Sequence, residues 1–454
     1  MNGYPPEIDI GEVLQNRRAG RFQLMTFGLC VLILFMDGLD YSAANVAAPA
    51  ILRVFHADRD AMGVIFGWGY FGIFLGSIIF GYIGDKFGRK LGAVLGVLAY
   101  SIPALLTVFA TSLDQIAIFR CLAGLGIGGV LPNTVALLTE TAPRRVRVTF
   151  VMAAFVGYSA GNAAIGQVAA WLIPQFGWSI VFLVAGVAGT GLSIVLAILL
   201  PESIPFLAAT RPESPRLRRL VARAAPELKI SENTRFTVRR PVNEAGFSLK
   251  LLFSGYRRIA TPLLWLAFFA EALTYMTLTA WLSVLLEGAG LAPTEAAMAY
   301  SYAQLGAIVA ILALALLLDR FGPKAGVLSA SIAVAAVICL GTPGLSPLLI
   351  TVVAVIAVAF ASATHQALIG IVGGFYPTII RGNGVGYASG MGRVAAIIGP
   401  VIAGFLLSRL PLHYVLVMIA VPDLVVAAAC IGLGRYAREF VAEPSVPAPA
   451  EQPV

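Results

Sequence analysis

GDKFGRK at residues 84–90 returns as LDRFGPK at 318–324. One constant offset carries Asp85 onto Asp319. The same offset carries Pro143 of APRRVR onto Pro377 of YPTIIR, Arg147 onto Arg381, and Asp37 onto Glu271. Agreement at separated places without a gap marks an internal duplication. The stretches between these landmarks are apolar: the 454 residues are 59% hydrophobic and 12% charged, with a mean hydropathy of +0.88. Such a chain has too few charges to cover a soluble globule and reads as an all-α membrane protein. Apolar runs near the length a bilayer requires predict twelve spans, at 22–48, 61–83, 90–110, 115–139, 147–171, 178–200, 258–286, 295–318, 325–342, 346–373, 383–408 and 412–434. The duplication groups them into two pseudo-symmetric six-helix bundles, 22–200 and 258–434, related by an axis along the membrane normal, with a ligand site expected between them near the midplane. Tails at 1–21 and 435–454 and a linker at 201–257 remain, and an amphipathic helix is expected in the linker around Leu217 to Lys229.

The charges give the chain a direction. Of the 31 Lys and Arg residues, only Arg53, Arg59 and Arg409 fall in the loops of one side, and Arg120 and Arg393 fall within spans. The rest lie in the tails and the loops of the other side, which the positive-inside rule makes cytoplasmic, with both termini. The net charge of +8 reflects this sidedness, so the expected partner is the lipid bilayer and not nucleic acid. No cleavable leader is expected, because the polar first twenty residues run straight into a full-length span. Cys30, Cys121, Cys339 and Cys430 fall inside spans without CxxC spacing, and His56, His365 and His413 are scattered. Neither disulfides, a metal nor another cofactor is expected. A G-x-x-x-x-G-K-[ST] loop is absent, so ATP-driven chemistry and an enzyme function are not expected.

The first span contains FMDGLDYSAAN at 35–45. An Asp at the centre of a span costs roughly 2.5–3.5 kcal/mol to insert, so two of them one turn apart need a use. Asp37 and Asp40 share a helix face that Tyr41 and Asn45 extend into a polar stripe. Acids inside a membrane usually mark ion or substrate pathways, although a packing role is the alternative.

GYIGDKFGRK at 81–90 resembles the loop 2-3 signature of the major facilitator superfamily of secondary transporters, with Lys86 where Arg is commoner. DGLD at 37–40, RCLAGLGIGGVLPN at 120–133 and YPTIIRGNGVGYASGMGRVAAIIGP at 376–400 are similar to motifs of its aromatic acid:proton symporters. The resemblance covers nearly all the membrane region and fails in the linker and tails. It implies rocker-switch alternating access, a bacterial cytoplasmic membrane, and import of a small aromatic carboxylate of the hydroxybenzoate, protocatechuate or vanillate kind together with protons. Import of non-aromatic organic acids, proton-driven export and a transport-dead membrane sensor stay open beside it. One chain suffices to form the cavity, so a monomer is expected to function.

Depth along the helices suggests which residues carry this chemistry. Arg120 lies about 9 Å inward from the start of the fourth span, and Asp40 about 28 Å from the start of the first, which makes an Asp40–Arg120 pair plausible. Burial makes a carboxyl harder to ionise and a nearby Arg makes it easier. A changing distance between acid and Arg120 would therefore load and release a proton. Glu271 is a second proton candidate. Arg393, with its bidentate fork, is the candidate clamp for the substrate carboxylate or else an ion-pair partner of Glu271 or Asp423. Tyr41, Asn45, Tyr158, Tyr275, Gln304, His365, Gln366 and Tyr387 are candidates for the aromatic and polar walls of the site, with Trp68, Tyr70 and Trp281 as further aromatic faces. Each of these has packing as its competing role. At the cytoplasmic end Gly81 and Gly84 are expected to let the second span pack closely. Asp85 and Arg89 are expected to form a gate with a neighbouring helix, and Glu140 with Arg144 or Arg147 a similar network. Asp319, Arg320 and Lys324 form the degenerate second copy, with Pro323 replacing the Arg, and Arg381 is a further gating candidate.

Overall fold

The computed structural model describes residues 7–228, 234–237, 249–255, 257–321, 323–376 and 378–442. Twelve long helices dominate it: α1 Arg21–Val54, α2 Arg59–Phe87, α3 Arg89–Thr107, α4 Leu113–Thr141, α5 Arg147–Phe176, α6 Ile180–Leu199, α7 Arg257–Gly288, α8 Pro293–Phe321, α9 Pro323–Leu340, α10 Pro347–Phe375, α11 Thr378–Leu407 and α12 Leu412–Ala442. Each coincides with an expected span. Eleven are long and apolar enough to cross a membrane; within α9, Lys324–Leu340 forms a shorter apolar helix. Several helices outrun the expected ends. α1 continues through Pro49 to Val54, which a membrane helix tolerates when neighbouring groups satisfy the freed carbonyl. Side chains such as Ile78, Ile198, Val309 and Leu316 are exposed, as lipid-facing residues should be, while small and polar residues fill the interior.

The chain divides into two compact units. The first comprises Met1–Val242, Ala280–Leu305 and Pro400–Arg409. Within it α2 and α4 meet along a glycine seam. A Cβ at Gly72 or Gly76 would run into the Cys121 or Leu125 carbonyl, and one at Gly128 into that of Ile73. α1 and α5 approach equally closely through Gly38 and Gly161. At the end that carries the N-terminus, a strand Glu7–Asp9 pairs in parallel with Arg235–Thr237. The helices Ile10–Asn16, Ile204–Thr210 and Pro215–Ala224 pack with them around Leu14, Leu207, Leu217, Val221 and Phe236. The amphipathic linker helix is thus present but stops at Ala224, short of the expected Lys229, which lies outside the described residues. Pro226 follows its end, and the Ala224 carbonyl accepts from Arg17 Nη1 at 2.6 Å.

The second unit comprises Asn243–Thr279, Gly306–Gly399 and Leu410–Val454. Its core gathers Leu264, Phe268, Val372, Tyr376, Ala388 and Val426. Tyr376 donates to Thr261 Oγ1 at 3.1 Å, tying the loop before α11 to the start of α7.

Candidate functional site

Two groups of buried acids stand out, one in each unit. In the first unit Asp37 and Asp40 are 2% and 0% exposed. Arg120 on α4 reaches Asp40 Oδ2 through Nη1 at 3.5 Å, and its guanidinium lies 4.8 Å from the centre of the Phe182 ring. Among the described residues, Arg120 Nε and Nη2, Asp37 Oδ1, Asp40 Oδ1 and the Tyr100 hydroxyl are buried without a hydrogen-bond partner. So many unmatched polar atoms in one place are unusual in a finished core and mark a place where water, protons or a ligand can enter. Arg120 also lines a small cleft with Tyr41, Asn45, Phe66 and Tyr70. The Tyr41 and Tyr70 hydroxyls are 2.9 Å apart, and the Tyr158 ring lies 6.0 Å from that of Tyr41. Behind this stripe Tyr300 donates to Ser42 Oγ at 2.7 Å, and Ser42 donates on to Asn162 Oδ1 at 2.7 Å. Gln304 and Asn45 border the Tyr300 hydroxyl.

In the second unit Glu271 is 1% exposed, and its Oε2 lies 2.5 Å from His365 Nδ1. The partner of Glu271 is therefore an imidazole on α10. Tyr275 stacks on that ring at 5.2 Å. Asp423 on α12 is also 1% exposed. Gln366 is half-buried next to His365, and Arg393 is exposed on α11. Tyr387 stacks on Trp265 with centroids 5.7 Å apart.

Two aromatic candidates, Trp68 and Trp281, turn out to be surface or packing groups. Trp68 is 48% exposed and packs edge-on against Phe71. Trp281 is fully buried, donates to the Pro400 carbonyl at 3.0 Å and meets Phe66 edge-on.

The loop between α2 and α3 holds the expected Asp85–Arg89 ion pair. Arg89 Nε also reaches Glu140 Oε1 at 3.4 Å. This corrects the expected partner of Glu140: Arg144 is exposed and uses its backbone N–H to bind the Gln15 carbonyl at 2.8 Å, and Arg147 Nε has no partner. Gly84 does permit a close approach, since a Cβ there would overlap the Asn133 amide, whereas Gly81 has nothing within 4 Å and is not needed for packing. Glu202 was not anticipated. Its carboxylate accepts from the Lys90 and Ser203 backbone N–H groups at 3.0 and 2.9 Å, capping the start of α3. Arg320 lies over the ring of Phe321 at 5.3 Å. The side chains of Asp319 and Arg381, and Pro377 as a whole, lie outside the described residues.

The end of the first unit away from the termini holds a second unanticipated cluster. Arg53 pairs with Glu287 at 2.5 Å. Arg59 donates to the Leu407 carbonyl at 2.8 Å, and Arg409 lies 3.7 Å from Asp60. Arg53, Arg59 and Arg409 are the three cations that broke the charge rule in the sequence, and that exception was the available signal.

Comparison with known proteins places this arrangement. The family model described as Major Facilitator Superfamily matches residues 30–303 and 264–452. The chain belongs to that superfamily. It is thus a multi-pass membrane transporter and not an enzyme. It is similar to the gallate transporter of Pseudomonas putida, 32% identical over 97% of this chain and 98% of that one. Over 96% of this chain and 95% of that one it is 30% identical to the 4-hydroxybenzoate transporter PcaK of Acinetobacter baylyi. A bacterial homologue of the human lysosomal transporter Spinster, solved inward-facing and unoccupied, shares the fold with a TM-score of 0.71 at 16% identity, covering 95% of this chain and all of that one.

Proposed function

We propose that this transporter imports small aromatic carboxylates with protons, across a bacterial cytoplasmic membrane in which both termini face the cytoplasm. The observation that carries the reading is the cleft beside Asp40. It sets a guanidinium with two unpaired nitrogens next to buried acids and a wall of tyrosines. An aromatic acid needs a cation for its carboxylate and flat, partly polar faces for its ring. The named activities of the gallate and 4-hydroxybenzoate relatives support that substrate class.

In this reading the two six-helix halves alternate in access. Asp37 and Asp40 load a proton, and Arg120 answers the change of charge. When Asp40 is protonated the guanidinium loses its internal anion and becomes free to attract an external one; when the substrate leaves, Asp40 gives up its proton and recaptures Arg120. Proton and anion thus travel together because each makes room for the other. Glu271 serves as a further proton carrier. Arg393 on α11 clamps the substrate carboxylate, and the Asp85–Arg89–Glu140 network holds the cytoplasmic gate.

The test is uptake of radiolabelled 4-hydroxybenzoate, protocatechuate and vanillate into proteoliposomes, with and without an inward proton gradient. Uphill accumulation that a protonophore collapses is the expected result. Equilibration alone removes proton coupling, and no uptake of any of the three removes the substrate class.

A further inference from the structure

We propose that Glu271, His365 and Asp423 together form a second transported-proton site, in which Asp423 is the residue that takes up and gives back the proton. This rests on the proton coupling proposed above. It goes beyond it by assigning Asp423 and by requiring two protons for each substrate anion.

The geometry is specific. α7 and α12 are joined by Thr274, whose hydroxyl donates to the Ile419 carbonyl at 2.8 Å. Glu271 stands one turn before Thr274, and Asp423 stands one turn after Ile419, so the two carboxyls flank the same helix contact and lie within electrostatic reach of each other. Neither Asp423 oxygen has a hydrogen-bond partner among the described residues, and neither does Glu271 Oε1. The Thr274 hydroxyl borders Asp423, but it donates its proton to the Ile419 carbonyl at 2.8 Å. An ionised carboxylate buried with no donor at either oxygen costs several kcal/mol, and a bound proton removes that cost. Glu271 needs no such proton, because His365 supplies its counter-charge at 2.5 Å.

Among the described residues, few other charged groups lie on the helices of this unit. α9, which packs on α12, carries only Lys324 at its start and Cys339 near its end. α10 contributes His365 alone among acids and bases. α11 contributes Arg393, whose side chain is exposed, and Tyr387, which stacks on Trp265. Tyr275 on α7 stacks on the His365 ring and holds its orientation.

His365 offers the proton a route out. Asp423 and Glu271 are sealed, but 21% of the His365 side chain is exposed. Loaded, the triad holds a neutral Asp423, an ionised Glu271 and an imidazolium, with net charge zero. On release His365 loses a proton to water while Asp423 passes its proton, directly or through one water, to Glu271. The product is an ionised Asp423, a neutral Glu271 and a neutral imidazole, with net charge −1. One proton has left and every other is accounted for.

The consequence can be read electrically. A monovalent carboxylate carried with one proton is electroneutral; carried with two, it moves one net positive charge. Proteoliposomes holding the wild-type protein should therefore accumulate 4-hydroxybenzoate in response to an inside-negative potassium diffusion potential, by up to tenfold per about 59 mV at equilibrium. Asp423→Asn should still respond to a pH gradient but no longer to potential, and Asp423→Glu should restore the response. Retention of the full potential response by Asp423→Asn overturns the assignment. Should that variant not fold, the ratio of protons to 4-hydroxybenzoate taken up by the wild-type protein decides: two supports the second site and one overturns it. A wild-type protein driven by pH but indifferent to potential overturns the second site while leaving proton coupling intact. A potential response that requires sodium overturns the proton as its ligand. Wild-type protein with no proton-driven uptake removes the underlying function, and this inference with it.

Discussion

The two acid centres differ in the cation that answers them. Asp40 faces Arg120, and a guanidinium is a fixed cation. Glu271 faces His365, and an imidazole is a cation that can also be neutral. With a fixed cation the only variable is the acid, so protonating Asp40 leaves an unanswered positive charge beside a cleft. With a titratable cation and two acids, the second centre can shed charge without exposing a lone guanidinium. The first arrangement is suited to exchanging a proton for a substrate anion, the second to carrying a proton for its own sake. Similar helices in a duplicated fold have thus been given different counter-ions.

The largest expected effect comes from removing the fixed cation. Arg120→Ala leaves Asp40 buried and unanswered, a loss of about 3–5 kcal/mol for a broken buried pair, and uptake in proteoliposomes should fall by roughly two orders of magnitude or more. Arg120→Lys should keep the protein folded yet recover little uptake, since an ammonium cannot both answer Asp40 and present a second planar face to a carboxylate. The double variant Asp40→Asn with Arg120→Gln should recover the melting temperature that Arg120→Ala loses, without recovering pH-driven uptake. Wild-type rates in Arg120→Ala would erase the distinction between the centres.

A smaller effect is expected from making the second centre resemble the first. His365→Arg replaces a titratable cation by a fixed one. In the proposed cycle the imidazole hands its proton to water as the second centre unloads. An arginine cannot do so, so His365→Arg should lose the response to potential while keeping pH-driven uptake, with the maximal rate within about tenfold of wild type. A full potential response in His365→Arg would show that His365 is only a structural partner of Glu271.

The seal around the first centre should matter less again. Arg53–Glu287 is a partly exposed pair, 51% and 20% by side chain, and such pairs contribute up to about 1 kcal/mol. Arg53→Ala should speed labelling of a cysteine placed at the buried Ala50 by no more than about fivefold. An increase of a hundredfold would make this pair a principal lock.

Much of this was legible in the sequence. The twelve helices follow from apolar run length, because a bilayer sets a fixed ruler, and the DGLD face and Arg120 converge because depth along two helices can be counted. What could not be read was which partner each charge takes. Glu140 was assigned to the basic residues that follow it, yet the loop before α3 swings Arg89 to it instead. For Glu271 the sequence offers Arg393 only as an alternative partner, because depth says nothing about rotation around the helix axis, and it is His365 that reaches Glu271. Gly81 and Gly84 look equivalent in GYIGDKFGRK, and only their azimuth decides that Gly84 meets Asn133 while Gly81 meets nothing.

That same azimuth gives the smallest prediction and separates the two units once more. In the first unit Gly76 lies in the α2–α4 seam, where a Cβ would collide with the Leu125 carbonyl. Backbone cannot step aside as a side chain can, so Gly76→Ala should cost about 1–3 kcal/mol and lower the melting temperature of the purified protein. In the second unit Gly390, on the helix that carries Arg393, has nothing within 4 Å. Alanine there removes unfolded-state freedom and meets no neighbour, so Gly390→Ala should leave stability within about 0.5 kcal/mol or raise it slightly. Uptake by Gly390→Ala then becomes informative because stability is not in question. If uptake is unchanged, the space beside α11 is idle. If it drops while the melting temperature holds, that space is used during transport, by the substrate or by a helix that closes into it, and the proposed clamp at Arg393 gains a neighbour to build on.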